Sequence, residues 1–429
     1  MTLRSKAPAL LFGFFGLAAV GSLSLTGATS ARAEAQLLIE ASTGKVLHAE
    51  NATYPWYPAS VTKLMTAYTT LRAIKEKKLA FDTMLTMSKN AVAQQPTKMG
   101  FKLGTTLTVD NALKMLMVKS ANDVAVAIAE GVGGSLEGFA DMMNANARRL
   151  GMSQSHFINP NGLPAENHVT SARDLAILAR AIVREFPEDD PYWHISAMRM
   201  GSRVYHNYNS LIDRYPGADG MKTGFICASG YNVVASATRN GRRLIAVVLG
   251  AYSGAVRAQK AAALLERGFN SGGLSWLTPS LGTVDALAPI DAQPPNLRDE
   301  MCGGHRRKPA AEDNEEEEPP SDTVATDDSD KSGQAFMLSS LKPANGKFVL
   351  GPPVETSAPV VVFTGPANNP DKAVKTAGEV HKKKKKAVAA AKAETGDKPA
   401  KAANKPAKSA KTAKSAKPGT KPKVSSAAQ

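Results

Sequence analysis

The fold class that the sequence predicts is α+β: one antiparallel sheet with an inserted mainly helical region, spanning residues 34 to 272. Three observations carry this expectation. Two apolar-rich runs flank Ser42-Thr43-Gly44 near the start of that stretch. Apolar stripes at helical spacing then dominate from residue 60 to about residue 184. After Tyr215 strand patterning returns, and one further helical stripe closes the unit.

Each element follows from its residues. "AQLLIEASTGKVLHAEN" places two apolar runs around a small-residue turn, the pattern of a hairpin. "SVTKLMTAYTTLRAIKEKK", "TVDNALKMLMVKS", "NDVAVAIAEGV", "SLEGFADMMNANARRLG" and "TSARDLAILARAIVREF" keep their apolar side chains on one face, and several begin with a Ser, Thr or Asp cap. "HFINPNGLPAENHV" is rich in Asn, Pro and Gly and reads as a structured loop. "GMKTGFI" and "YNVVASATRNGRRLIAVVLGA" give three strands, with Asn240-Gly241 as the turn between the last two. "GAVRAQKAAALLERGF" is the closing helix. Strands at both ends of a helical stretch place the first hairpin beside the last strands in a single sheet. A stretch of this length can bury a sizeable core.

The rest of the 429 residues reads differently. Residues 1–33 predict a signal peptide. Arg4 and Lys6 form a positive start, an apolar run covers about 7–25, and Ala31-Arg32-Ala33 supplies a small-x-small cleavage pattern. An uncleaved anchor helix is the alternative, but Gly13, Gly16, Gly21 and the cleavage pattern favour removal. Residues 273–334 form an acidic, disordered linker by composition. The short segment 335–370 has some apolar content and leaves a strand-rich unit or a docking segment open. Residues 371–429 are a basic Lys/Ala/Pro tail with 17 Lys against 4 acidic residues. The chain carries +15 in total, so everything before that tail is close to neutral. The basic charge therefore belongs to a tail and not to a folded nucleic-acid-binding face, and export argues further against nucleic acid.

Two cysteines, Cys227 and Cys302, make no disulfide framework, and a bridge between them stays open. No CxxC or HExxH occurs and the histidines show no ligand spacing, so neither a metal nor a cofactor is expected.

In "PASVTKLMTAY", Ser60 reads as a helix N-cap with Lys63 in the first turn among apolar neighbours. The helix dipole and burial both disfavour an ammonium there. That position suits a neutral amine, and a serine one turn earlier gives a nucleophile and its base on one face. A cap serine followed by a snorkelling lysine is the competing reading. S-x-x-K is weak alone, since Ser42 with Lys45 and Ser339 with Lys342 also match. Ser120-Ala121-Asn122 lies between two helical segments, where a break can point side chains into a cleft. Ser88-Lys89-Asn90 shares its pattern but looks like a helix start. Lys222-Thr223-Gly224 sits in a strand with apolar neighbours. There a lysine beside a threonine can hold a carboxylate, and a glycine allows close backbone approach.

The three motifs, in this order, form the constellation of penicillin-recognising enzymes. The chain resembles the serine D-alanyl-D-alanine carboxypeptidases, low-molecular-mass penicillin-binding proteins of the peptidase S11 family. The likeness spans about residues 34 to 270 and includes "LLIEASTGKVLHAENA", "NPNGL" with His168, "GADGMKTGF" and "ASGYNVVASAT". It implies the serine transpeptidase/β-lactamase-like fold. It also implies a role in cell-wall remodelling, in the periplasm or on the outer face of the bacterial cytoplasmic membrane. By motif, Ser60 would be acylated by the penultimate D-alanine carbonyl of a peptidoglycan stem peptide, with Lys63 as general base. Ser120 would relay a proton to the departing D-alanine, and Asn122 would bind the substrate backbone. Lys222 and Thr223 would bind the terminal carboxylate beside Gly224, and the N–H groups of Ser60 and Phe225 would form the oxyanion hole. β-Lactams would acylate the same serine. Phe225-Ile226 stands where many relatives carry a polar pair, and no β-rich domain or amphipathic anchor is evident after Asn270. The charge of the basic tail instead suits electrostatic contact with anionic lipid heads or wall polymers. A DD-endopeptidase of the same family is the main rival, ahead of a β-lactamase, for which Glu166 is the one candidate water-activating carboxylate, and of a non-catalytic wall-binding protein.

Overall fold

In chain order, the hairpin β1 (Ala35–Glu40) and β2 (Val46–Glu50) comes first and α1 (Lys63–Lys75) follows. The helical region holds α2 (Lys89–Val92), α3 (Val109–Val118), α4 (Asn122–Gly133), α5 (Leu136–Leu150) and α6 (Ala172–Glu185). A small ribbon, β3 (Met84–Thr86) with β4 (Thr106–Thr108), interrupts it, and a second, β5 (Ala197–Met200) with β6 (Arg203–His206), follows it. The closing strands are β7 (Ala218–Ile226), β8 (Gly230–Arg239) and β9 (Arg242–Ala251), and then come α7 (Gly254–Asn270), α8 (Arg298–Cys302) and β10 (Val360–Val361). This computed structural model describes residues 34–271, 280–304, 350–354 and 357–366. The predicted signal peptide, most of the acidic segment and the Lys-rich tail lie outside the described residues.

The main sheet runs β2-β1-β9-β8-β7, antiparallel throughout. The N-terminal hairpin thus joins the C-terminal strands, as the sequence predicts. Side chains alternate faces along each strand. Leu37, Ile39, Val234, Ile245, Val247 and Leu249 pack with Leu64, Tyr68 and Leu175 of the helical region. Leu38, Val233, Ala235, Ala246 and Val248 pack with Ala258, Ala261 and Leu265 of α7. Burial on both faces explains why β8 and β9 read as unbroken apolar runs. Asn240 and Gly241 both take positive φ at the β8–β9 turn, the geometry their sequence predicts.

Packing continues past residue 272, where the sequence reading ends the domain. Thr283 bridges to Lys45, and Val284, Leu297 and Met301 are buried. Cys302 is disulfide-bonded to Cys227, which follows directly on β7. β10 lies parallel to β5, and Val362 beside it is buried. Residues 280–304, assigned from composition to the acidic linker, are thus part of the folded unit. Of the 335–370 segment, only residues 350–354 and 357–366 are described, and they contribute the two-residue strand β10. The main reason is that a few well-spaced apolar side chains dock a Pro-rich segment without giving it a period of its own.

Candidate active site

The turn that carries Ser60 is built by three constraints. Residues Ala59–Thr62 form one turn of 3-10 helix that leads into α1. Ala59 takes φ +50°, a conformation that costs an L-residue roughly 1 kcal/mol or more and has to be held by its surroundings. Asn232, fully buried in β8, donates its side-chain amide to the carbonyls of Tyr57 (3.0 Å) and Pro58 (3.2 Å). Gly162, of the loop between α5 and α6, approaches so closely that a Cβ there would lie 1.8 Å from the Ala59 carbonyl oxygen. Ser60 is therefore not a helix N-cap. The first helix starts at Lys63 with no side-chain cap, and the Ser60 hydroxyl is left to the lysine.

Lys63 is fully buried. Its Nζ lies 2.9 Å from Ser60 Oγ and donates to Asn122 Oδ1 (2.8 Å) and to the Asn161 carbonyl (2.7 Å). Two of these neighbours can only accept. They take two N–H groups of the amine and leave its third position facing the serine hydroxyl. Asn122 also donates its Nδ2 to Gln95 O (3.0 Å). Its side chain thus bridges Lys63 and Gln95, and the amide nitrogen carries a second N–H, the donor that the motif reading gives to the substrate backbone.

Ser120 and Asn122 belong to the break between α3 and α4. Ala121 is the residue that caps α4, with Asn122 as its first helical position. Thr97 Oγ1 donates to Ser120 O, and Asn122 N–H donates to Thr97 O, so the break is pinned from a second loop. Ser120 takes φ +56°, is fully buried, and its Oγ has no hydrogen-bond partner among the described residues. An unpaired buried hydroxyl costs of order 1–3 kcal/mol, and such groups gather where a ligand is to supply the partner.

Lys222, Thr223, Gly224 and Phe225 lie on β7, the edge strand of the main sheet, which pairs on one side with β8 and on the other with no strand among the described residues. Lys222 and Thr223 are buried, and Thr223 Oγ1 is a second hydroxyl with no partner among the described residues. A Cβ at Gly224 would stand 2.7 Å from Ser60 N and 2.9 Å from Val61 N, so the missing side chain lets the strand meet the nucleophile turn. Phe225 is half-buried and its ring stacks on Tyr231 with centroids 4.2 Å apart.

The structure thus brings Ser60, Lys63 and Asn122 into contact and lays Gly224 against them. Ser120 and Lys222 stand two residues from Asn122 and Gly224 respectively. The decoys separate from this group: Ser88 caps α2, accepting from Ala91 N–H at 3.0 Å, and Ser42 sits in the first hairpin turn. Motif reading missed Asn161, because it acts through a backbone carbonyl that any residue has. It also gave no role to His168.

His168 is buried beneath the nucleophile turn, with Nε2 2.9 Å from Thr62 Oγ1. Ile158 N–H donates to its Nδ1 at 3.1 Å, so Nε2 carries the proton and donates to Thr62. Burial first, then the charges of His156 and Lys63, push its pKa from 6.5 down to about 3. The folded state holds this imidazole neutral, whereas the unfolded chain takes up a proton below about pH 6.5. Its contribution to stability is complete above that pH and falls by about 1.4 kcal/mol per pH unit as pH drops toward 3. Denaturant unfolding from pH 7 to 4 is expected to show that slope flattened in His168→Gln relative to wild type.

The sequence profile of the peptidase S11 family, D-alanyl-D-alanine carboxypeptidase, matches residues 24–253. The chain belongs to that family. The D-alanyl-D-alanine carboxypeptidase DacC of Escherichia coli is 35% identical over 275 residues, which cover 62% of this chain and 69% of that one. The carboxypeptidase DacD of Salmonella typhimurium is 37% identical over 243 residues, covering 55% and 62%. The chain thus spans about two-thirds of the length of these relatives. Among solved structures, penicillin binding protein 5 from Haemophilus influenzae superposes with a TM-score of 0.54 at 34% identity, covering 56% of this chain and 71% of that one. Penicillin-Binding Protein D2 from Listeria monocytogenes, in its ampicillin-bound form, gives 0.51 at 27% identity, covering 55% and 97%. This S11 chain therefore has the penicillin-recognising serine transpeptidase fold expected from its motifs.

Proposed function

We propose that the protein is a penicillin-sensitive serine D-Ala-D-Ala carboxypeptidase that trims the terminal D-alanine from peptidoglycan stem peptides outside the cytoplasmic membrane. One observation carries the reading: a fully buried lysine whose Nζ is shared by Ser60 Oγ and two acceptors that cannot give it a proton. With Lys63 neutral, Asn122 Oδ1 and Asn161 O hold its two N–H groups, and the lone pair receives the Ser60 proton. Ser60 Oγ then attacks the penultimate D-alanine carbonyl. The backbone N–H groups of Ser60 and Phe225 stabilise the oxyanion. Lys63 returns the proton through Ser120 to the leaving D-alanine nitrogen, giving the buried Ser120 hydroxyl the partner it lacks. Lys222 and the Thr223 hydroxyl bind the terminal carboxylate, which selects a free C-terminus. Water cleaves the seryl ester and restores the enzyme.

β-Lactams acylate Ser60 by the same route. A β-lactamase needs a carboxylate to activate the deacylating water. Glu166 is exposed and makes no hydrogen bond to Ser60 or Lys63, which weighs against that role. The basic tail contributes, in this proposal, electrostatic attraction to anionic wall or membrane polymers. Digestion of purified muropeptides tests the reading. Carboxypeptidase action releases free D-alanine from monomeric pentapeptides, and monomers arising from crosslinked dimers instead would make the protein an endopeptidase.

A further inference from the structure

Lys63 is held by two acceptors from different parts of the chain: the Asn122 side chain at the start of α4 and the Asn161 carbonyl in the α5–α6 loop. Adjacent residues of a third segment, the loop between α2 and β4, reach both. Gln95 O accepts from Asn122 Nδ2 at 3.0 Å, and Gln94 Oε1 accepts from Asn161 Nδ2 at 2.9 Å. None of the three motifs includes this loop, "AQQPTKMG". Its anchorage to the α3–α4 break is extensive. Asn122 N–H donates to Thr97 O, and Thr97 Oγ1 donates to Lys119 O and Ser120 O. The fully buried Asp123 carboxylate accepts from the N–H groups of Met99 (3.0 Å) and Gly100 (2.9 Å).

The Gln94 amide is fixed at both ends. Its Nε2 donates to Asn90 O of α2 at 3.1 Å while its Oε1 faces Asn161. Exchanging its oxygen and nitrogen would set donor against donor and acceptor against acceptor, so the network admits one orientation. Asn161 is buried, and its Oδ1 accepts from Leu163 N–H at 3.1 Å, so its side chain is likewise tied at both ends. Asn159 Oδ1 accepts from Gly162 N–H at 2.8 Å and steadies the peptide that carries the Asn161 carbonyl. That brace moves with its own loop, whereas the Gln94 contact ties the loop to the segment that also holds Asn122. A base is effective when its lone pair points at the hydroxyl, and a misplacement of 1 Å costs up to about a hundredfold in rate. We infer that Gln94 is a positioning residue for the general base: it keeps the Asn161 carbonyl in register with Asn122, so that the amine of Lys63 presents its lone pair to Ser60 Oγ. The inference rests on Lys63 acting as that base.

Acylation of the full-length protein by benzylpenicillin, resolved into a binding constant and an acylation rate constant, tests this in the wild-type and Lys63→Met backgrounds. In wild type, Gln94→Ala is expected to lower the acylation rate constant roughly tenfold and to leave the binding constant within about twofold. In Lys63→Met it changes nothing further, because a residue that acts through the amine has nothing left to act on. Gln94→Glu keeps an acceptor for Asn161 and places an anion behind it. A nearby anion favours the ammonium, so the pH at which acylation reaches half its plateau rises, while the plateau stays within a few-fold of wild type. An equal fall in both backgrounds, a Gln94→Ala rate constant that matches wild type, or an unmoved pH midpoint in Gln94→Glu overturns the role of Gln94. Lys63→Met that acylates like wild type removes the base reading itself. A slow Lys63→Met beside an unimpaired Gln94→Ala removes only Gln94.

Discussion

Lys63→Met is expected to lower acylation by benzylpenicillin by about 10²–10⁴-fold while the protein stays folded. The substitution keeps an unbranched side chain in a fully buried position, so the volume at the start of α1 is little changed. It removes the group that takes the Ser60 proton. General-base catalysis is worth about 10²–10⁴ in rate, and a serine hydroxyl with no base is a poor nucleophile at neutral pH. Asn122 Oδ1 and Asn161 O lose a donor, a cost of order 1–3 kcal/mol each, which lowers the melting temperature without unfolding the chain. Stopped-flow acylation together with a circular dichroism melt separates the two effects. A Lys63→Met protein that acylates at near wild-type rate would show that the buried amine is a structural strut and not a base.

A chain ended at residue 272 is expected to lose most of its stability, while one ended at residue 366 keeps it. The shorter chain lacks Val284, Leu297, Met301 and Val362, each at most 3% exposed. Burying such side chains contributes about 1.5–3 kcal/mol apiece. It also lacks the Cys227–Cys302 disulfide, whose 75-residue separation makes it worth about 4 kcal/mol in the chain-entropy account. The total is comparable with the 5–15 kcal/mol that holds a typical domain together. The loss would also fall close to the chemistry, since Cys227 and Ala228 follow directly on β7. Thermal unfolding of the two chains, with penicillin labelling of each, measures both consequences. Equal melting temperatures would mean that residues 280–304 and 350–366 only rest on the domain.

What could be read from the sequence follows from how each group acts. β1, β8 and β9 are buried on two faces, so their apolar runs are long and plain. The misplaced charge of Lys63 was legible because a buried amine at a helix start is costly unless it is used. Side-chain identity also carried Ser120, Lys222 and Thr223. The short ribbons β3–β4 and β5–β6 were lost among helical stripes, since strands of three or four residues set up no measurable period. Ser60 passed for a cap because a 3-10 turn and a helix N-terminus favour the same small polar residue. The left-handed Ala59 that separates them has no signature in an alanine. Asn161 acts through its carbonyl, and Asn122 turned inward to Lys63. Neither fact is encoded in residue type alone. The docking of residues 280–304 depends on three apolar side chains and one cysteine, spread too thinly to stand out beside an acidic tract.

The central claim is that the hydroxyl of Ser60, deprotonated by Lys63, is the atom that forms the acyl-enzyme. Mass-spectrometric mapping of the peptide modified by a penicillin tests it directly. The account predicts one adduct, on Ser60, that is absent from Ser60→Ala. An adduct on any other serine, or undiminished labelling of Ser60→Ala, would contradict it.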